Sequence, residues 1–112
     1  FNSVIYPFDP EFPQYQLAIK QMTGCAGLVT VEVQAESIDQ MNAFANALNI
    51  FKMAVSWGGP ESLILPMSVL YNLEGRKDPG VSWNVVRLSI GLEDADHLIA
   101  DLEQASSAAG IN

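Results

Sequence analysis

The chain has 112 residues, enough for one hydrophobic core and too few for two. Thirteen acidic side chains against five basic ones give a net charge of −8. That argues against a nucleic-acid binder, which needs clustered Lys and Arg, and equally against an anionic membrane surface.

No apolar run is long enough to span a bilayer, and no basic-then-apolar signal opens the sequence. The single cysteine, Cys25, allows no internal disulfide, which favours a reducing, cytoplasmic setting. The first residue is Phe1 rather than Met, which suggests a fragment or a processed product.

Residues 1–12 carry four aromatics, Phe1, Tyr6, Phe8 and Phe12, with no helical or strand period. They read as an extended arm. It packs either on a partner or over this domain's own core. Residues 13–112 then form the domain proper. Pro13 suits a first helical position, where its missing N–H costs nothing, and a helix to Met22 would bury Leu17, Ala18, Gln21 and Met22. Thr23 and Gly24 stop it. A strand over Leu28–Val33 turns Val29, Val31 and Val33 to the core, and Leu28, Thr30 and Glu32 to the other face.

Ser37-Ile38-Asp39-Gln40 has capping-box spacing. Ile38, Met41, Phe44, Ala45 and Leu48 recur at helical intervals behind it, and Asn49 is a suitable stop. Ile50–Val55 reads as a second strand. Ser56-Trp57-Gly58-Gly59-Pro60 must turn, and Glu61–Leu65 gives a third strand ended by Pro66. Residues 67–82 are the least patterned, with Leu73–Gly80 expected to be a mobile loop.

From Trp83 the chain reads as a strand running into a helix. Val86, Leu88 and Ile90 alternate toward the core, while Val85, Arg87 and Ser89 face the other way. Gly91 ends the strand. Glu93, Asp94 and Asp96 complement the start of the last helix, where Ala95, Leu98, Ile99, Leu102, Ala105 and Ala109 share a face. Gly110 closes it. One apolar stripe per helix and one apolar face per strand imply an α/β fold of α+β type. It is a two-layer sandwich, with a mostly antiparallel sheet of about four strands and helices on one face.

Few residues suggest chemistry. The acids of the last helix, Glu93, Asp94, Asp96, Asp101 and Glu103, read as a solvated face rather than paired catalytic carboxylates. His97 has no companions at metal-ligand spacing and reads as exposed. Cys25 reads as a buried structural thiol. Ser56 and the glycines after it could approach an anion, although glycine turns are common. Arg87 is either a surface ion-pair partner for a residue such as Glu32 or an arm for a charged ligand. Pattern alone favours the ion pair. Nothing in the pattern forbids a non-catalytic small-molecule-binding module or an assembly domain that uses its aromatic arm.

Three stretches carry more. Val55-Ser56-Trp57-Gly58-Gly59-Pro60-Glu61-Ser62-Leu63-Ile64, then Val86-Arg87-Leu88-Ser89-Ile90-Gly91-Leu92-Glu93-Asp94 running on to Ala105, and the upstream Gln21-Met22-Thr23-Gly24-Cys25-Ala26-Gly27-Leu28-Val29 keep one order. In that order they resemble the C-terminal domain of the pyridoxal-phosphate (PLP) enzymes of cysteine and methionine metabolism, the trans-sulfuration family. The cystathionine γ-synthases, cystathionine β- and γ-lyases and methionine γ-lyases are its members. The resemblance covers nearly the whole chain. It implies that Arg87 binds the α-carboxylate of an amino-acid substrate, with Ser56 and Trp57 beside it.

A guanidinium suits that task because it holds a carboxylate bidentately and stays charged. The resemblance also implies pyridoxal 5'-phosphate in the full-length enzyme, bound by an N-terminal domain missing from this chain. No cofactor would be bound by this piece, where Lys20, Lys52 and Lys77 lack a cofactor-lysine context. A homotetramer of the full-length protein is implied as well. The reaction implied is elimination or replacement at the β- or γ-carbon of a sulfur amino acid, with this domain orienting the substrate and inactive alone.

Departures touch the reaction type. Trp57 stands where many relatives carry leucine. Pro66-Met67-Ser68-Val69-Leu70-Tyr71 replaces the Thr-His-Ala stretch of several lyases, and Gly24-Cys25-Ala26-Gly27 replaces an aromatic-glycine sequence.

Overall fold

Strict alternation puts two strands at the centre of the sheet. The computed structural model describes residues 1–75 and 78–112. Its elements run β1 (Ser3–Ile5), α1 (Tyr15–Gln21), β2 (Leu28–Glu32), α2 (Ile38–Ala47), β3 (Lys52–Met53), β4 (Leu63–Pro66), α3 (Ser68–Tyr71), β5 (Val85–Ser89) and α4 (Ala95–Ala108).

The sheet order is β1-β2-β5-β4-β3. In β2 and β5 the valines and leucines recur every second residue, so one face is continuously apolar. Register locks it: Val31 stands opposite Val86 and Val29 opposite Leu88, and on β4 Ile64 meets Leu88. A slip of one residue would turn all of them to the wrong side.

Against that face lie α2 and α4. Met41, Phe44 and Ala45 of α2 and Leu98 and Ala105 of α4 are buried there with Val31, Val33, Phe51, Ile64, Val86, Leu88 and Ile111. Each fully buried large side chain contributes about 1.5–3 kcal/mol. Ser37 caps α2 by accepting from the Gln40 amide at 3.2 Å. The Gln40 side chain reaches back to the Glu36 amide rather than to the cap residue, and its Nε2 also donates to the carbonyls of Ala109 and Gly110 at 3.1 Å. One glutamine therefore ties the start of α2 to the end of α4. Asp94 caps α4 by accepting from the Asp96 and His97 amides, and Gly110, at φ 70°, closes it.

The α/β sandwich with helices on one face is present, with these corrections. The sheet is mixed rather than mostly antiparallel, and it has five strands rather than four. β3 runs parallel to β4, because the chain returns from residue 53 to residue 63 through a loop instead of a hairpin. The expected strand over 50–55 shrinks to two residues.

The extra strand comes from the arm, where Ser3–Ile5 pairs antiparallel with Glu32–Thr30. As an edge strand exposed on both faces it shows no alternation to read. The arm then turns on hydrogen bonds from Asp9 N to Tyr6 O and from Phe12 N to Asp9 O.

Pro13 lies in a turn ahead of α1, and of that helix only Ala18 is buried; Leu17 and Met22 stay exposed. Ile90 and Ile99 are also exposed rather than in the core, at 37% and 52%. Cys25 is exposed rather than buried.

Within the segment expected to be a mobile loop, Arg76 and Lys77 lie outside the described residues. Its flanks are closed by the Tyr71 hydroxyl, which donates to the Val81 carbonyl at 2.6 Å. Just before it, α3 supplies a short helix that residue pattern did not suggest.

Candidate functional site

The face of the sheet turned away from α2 and α4 carries Arg87 and Ser89 on β5. Arg87 is flanked by Thr30 on one side and Leu65 on the other. Across this face folds the loop of residues 54–62, the return connection from β3 to β4.

The loop is fastened at several points. The Arg87 Nη2 donates to the carbonyls of Val55 and Ser56, the latter at 3.2 Å. The Gly58 amide donates to the Ser89 hydroxyl at 3.2 Å. Gly58 has φ 77°, a left-handed conformation that suits glycine. The Leu92 amide donates to the Pro60 carbonyl at 2.8 Å.

Beyond Pro60 comes Ser62, which is fully buried. Its amide donates to Glu93 Oε1 at 2.9 Å, and its hydroxyl donates to Glu93 Oε2 at 2.7 Å while accepting from the Gly91 amide at 2.9 Å. A side chain at Gly91 would collide with backbone, meeting the Pro60 carbonyl oxygen and the Glu61 carbonyl carbon, the latter at 2.6 Å. Glu93 is thus no solvated helix-start acid. Its two bonds from Ser62, backbone first, hold its carboxyl below the ordinary range.

Two of the three residues singled out for a carboxylate site come together around the third. The Arg87 guanidinium lies 5.3 Å from the centroid of the Trp57 ring. Trp57 itself is 60% exposed. Ser56 touches Arg87 through its main-chain carbonyl, and its side chain is exposed on the loop. The Arg87 Nε is shielded from solvent and has no partner among the described residues.

The alternative ion pair with Glu32 is not formed. That carboxylate accepts from the Ser3 hydroxyl at 3.2 Å and from the Asn84 side chain at 3.1 Å. A half-buried guanidinium without a carboxylate partner among the described residues, with an aromatic ring 5.3 Å away, can accept an anionic group.

Asp101 overturns another expectation. It is 4% exposed, not on a wet face, and its carboxylate accepts from the amides of Asn49, Ile50 and Phe51 at 2.8, 2.8 and 3.2 Å. Burial raises its carboxyl, but these three amides and Gln104 outweigh that and leave it lowered. The role is structural. The residue pattern places Asp101 on the solvated face because its backbone partners lie about 50 residues away and no local pattern announces them.

His97 is exposed as expected. No group of side chains able to hold a metal ion occurs among the described residues. Lys52 Nζ donates to the Asn49 carbonyl at 2.6 Å, Lys20 is exposed in the last turn of α1, and Lys77 lies outside the described residues. No helix among the described residues is long and apolar enough to cross a membrane.

Comparison with known proteins settles the relationship. The family model described as "Cys/Met metabolism PLP-dependent enzyme" matches residues 1–107. The chain belongs to that family. It is 45% identical over 109 residues to the L-methionine gamma-lyase of Pseudomonas deceptionensis, covering 94% of this chain and 27% of the relative. It is 42% identical over 112 residues to the cystathionine gamma-lyase of Bos taurus, covering 96% and 27%.

Among solved structures, an O-acetylhomoserine sulfhydrylase of Wolinella succinogenes superposes with TM-score 0.73 at 29% identity. That match covers 93% of this chain and 26% of the other. CalE6, a methionine gamma lyase of Micromonospora echinospora, gives TM-score 0.77 at 28% identity with the same coverage. The chain spans about a quarter of the length of the relatives it matches.

Proposed function

We propose that this chain is the substrate-orienting domain of a PLP-dependent enzyme acting on sulfur amino acids by β- or γ-elimination or by replacement. In this reading Arg87 binds the substrate α-carboxylate, with Ser56 and Trp57 beside it. The observation that carries it is Arg87 itself. Its guanidinium sits on the face turned away from α2 and α4, 5.3 Å from the Trp57 ring centroid, with Nε shielded and unpartnered among the described residues. A carboxylate reaching the guanidinium would neutralise its charge through hydrogen bonds stronger than neutral ones.

The residues around Arg87 fit a carboxylate and do not fit the cofactor. Neither described lysine is placed to hold it, since Lys52 is engaged with a backbone carbonyl and Lys20 stands exposed on α1. The cofactor and its chemistry would therefore belong to the part of the protein that the relatives have and this chain lacks. The work of this chain is positional: holding the carboxylate fixes where the substrate's α- and γ-carbons lie.

The test is Arg87→Ala in the full-length protein. It should lower kcat/KM for sulfur amino acids by about a hundredfold, the loss of one bidentate charged contact, and leave the cofactor absorbance in place. Unchanged substrate kinetics would sink the carboxylate role.

A further inference from the structure

Arg87 is supplied by a strand and its neighbours by a loop, so the site exists only while that loop stays registered on the strand. Toward its end the loop is held by backbone bonds, from the Leu92 amide to the Pro60 carbonyl at 2.8 Å and from the Lys52 amide to the Ser62 carbonyl at 3.1 Å, and beside them by a side chain. Glu93 lies just past β5 and grips Ser62, just before β4, with both carboxylate oxygens, at 2.9 Å to the amide and 2.7 Å to the hydroxyl. The Ser62 hydroxyl in turn accepts from Gly91.

This small knot fixes residues 60–62 against 91–93 at one end of the loop. Val55 and Ser56 carbonyls then meet Arg87 at the other end. Glu93 makes no contact with Arg87, Ser56 or Trp57 among its hydrogen bonds, so any influence on the site passes through the loop.

We infer that Glu93 is a positioning residue for the Arg87 carboxylate site, acting through Ser62 to hold the Trp57 loop over β5. The inference rests on the carboxylate reading of Arg87. Releasing the knot leaves the loop on its remaining bonds and loosens it, so a carboxylate must first pay the entropy of ordering it, and binding weakens more than turnover.

The experiment uses the full-length, cofactor-loaded protein and a double-mutant cycle of Glu93→Gln with Arg87→Ala. Glu93→Gln alone should raise KM for the amino-acid substrate about tenfold, the size of one charge-assisted hydrogen bond, with kcat within about threefold. In the Arg87→Ala background the same change should have no further effect on kcat/KM. Ser62→Ala keeps the fold's backbone contacts and should show the same coupling more weakly, so it serves if Glu93→Gln does not fold.

Equal losses in both backgrounds would show a general structural role and overturn the inference, as would an unmoved KM in the single variants. If Arg87→Ala itself is kinetically silent, the carboxylate reading fails. If Arg87→Ala is crippled while both Glu93→Gln and Ser62→Ala match wild type, only the positioning role falls.

Discussion

Arg87 rests on Trp57, with its guanidinium carbon 5.3 Å from the ring centroid. The two residues come from different elements, β5 and the connection between β3 and β4, and are 30 positions apart. The ring and the carbonyls of Val55 and Ser56, which take the Nη2 donors, fix the orientation of the cation, and a fixed orientation is what an anion-holding arm requires.

Trp57→Ala should loosen this arrangement without removing it. A partly exposed cation–π contact is worth about 0.5–1 kcal/mol, so KM for a carboxylate substrate should rise about two- to fivefold. Steady-state kinetics of the full-length protein decide it. An effect as large as that of Arg87→Ala would mean that Trp57 touches substrate directly.

Asp101 answers three backbone amides at once. Asp101→Ala strands those amides and should destabilise the protein by about 3 kcal/mol, in the upper range for single substitutions. Chemical denaturation measures it. A loss below about 1 kcal/mol would mean that water replaces the carboxylate without difficulty.

Acid should act through the same groups. Asp101 and Glu93 both hold their carboxyls below the ordinary range in the folded chain. The unfolded chain, with carboxyls near about 4, therefore takes up protons first as pH falls. Their contribution is complete above about pH 5 and is lost as pH drops through the lowered folded values. Denaturant midpoints at pH 7, 5 and 3 should be flat between the first two and fall at the third, and Asp101→Asn should flatten the fall.

Leu98 and Ile99 are adjacent on α4 and differ in fate, one 5% and the other 52% exposed. Leu98→Ala should cost about 2–5 kcal/mol, whereas Ile99→Ala should stay within about 0.5 kcal/mol. Paired melting curves test this. Equal costs would place the helix one step round from its present orientation.

Patterns of period two and of helical spacing disclosed what local sequence can disclose. The Val29-Val31-Val33 and Val86-Leu88 faces, the Ser37 cap and the Leu98–Ala105 stripe are each set by neighbours within a few residues. β1 escaped because an edge strand exposed on both sides needs no alternation. Ile99 and Leu17 misled because an apolar residue at the margin of a stripe looks the same whether it is docked or not.

At the site, Arg87 stood out as one cation on a non-core strand face, and the family resemblance supplied the role proposed for it. The links from Ser89 to Gly58 and from Glu93 to Ser62 were invisible, since each joins residues 31 positions apart. The serine of Pro-Glu-Ser and the acid after Gly-Leu could have been suspected only as polar residues flanking a glycine turn.

The carboxylate of Asp101 has a consequence beyond the helix it belongs to. It seizes the chain at Asn49–Phe51, immediately before β3, and four residues after that grip the same chain offers Val55 to the guanidinium. The helical layer on one side of the sheet therefore anchors the chain from which the passage across the opposite side sets out. The pairing of Lys52 and Met53 with β4 then carries the chain from that grip to Val55.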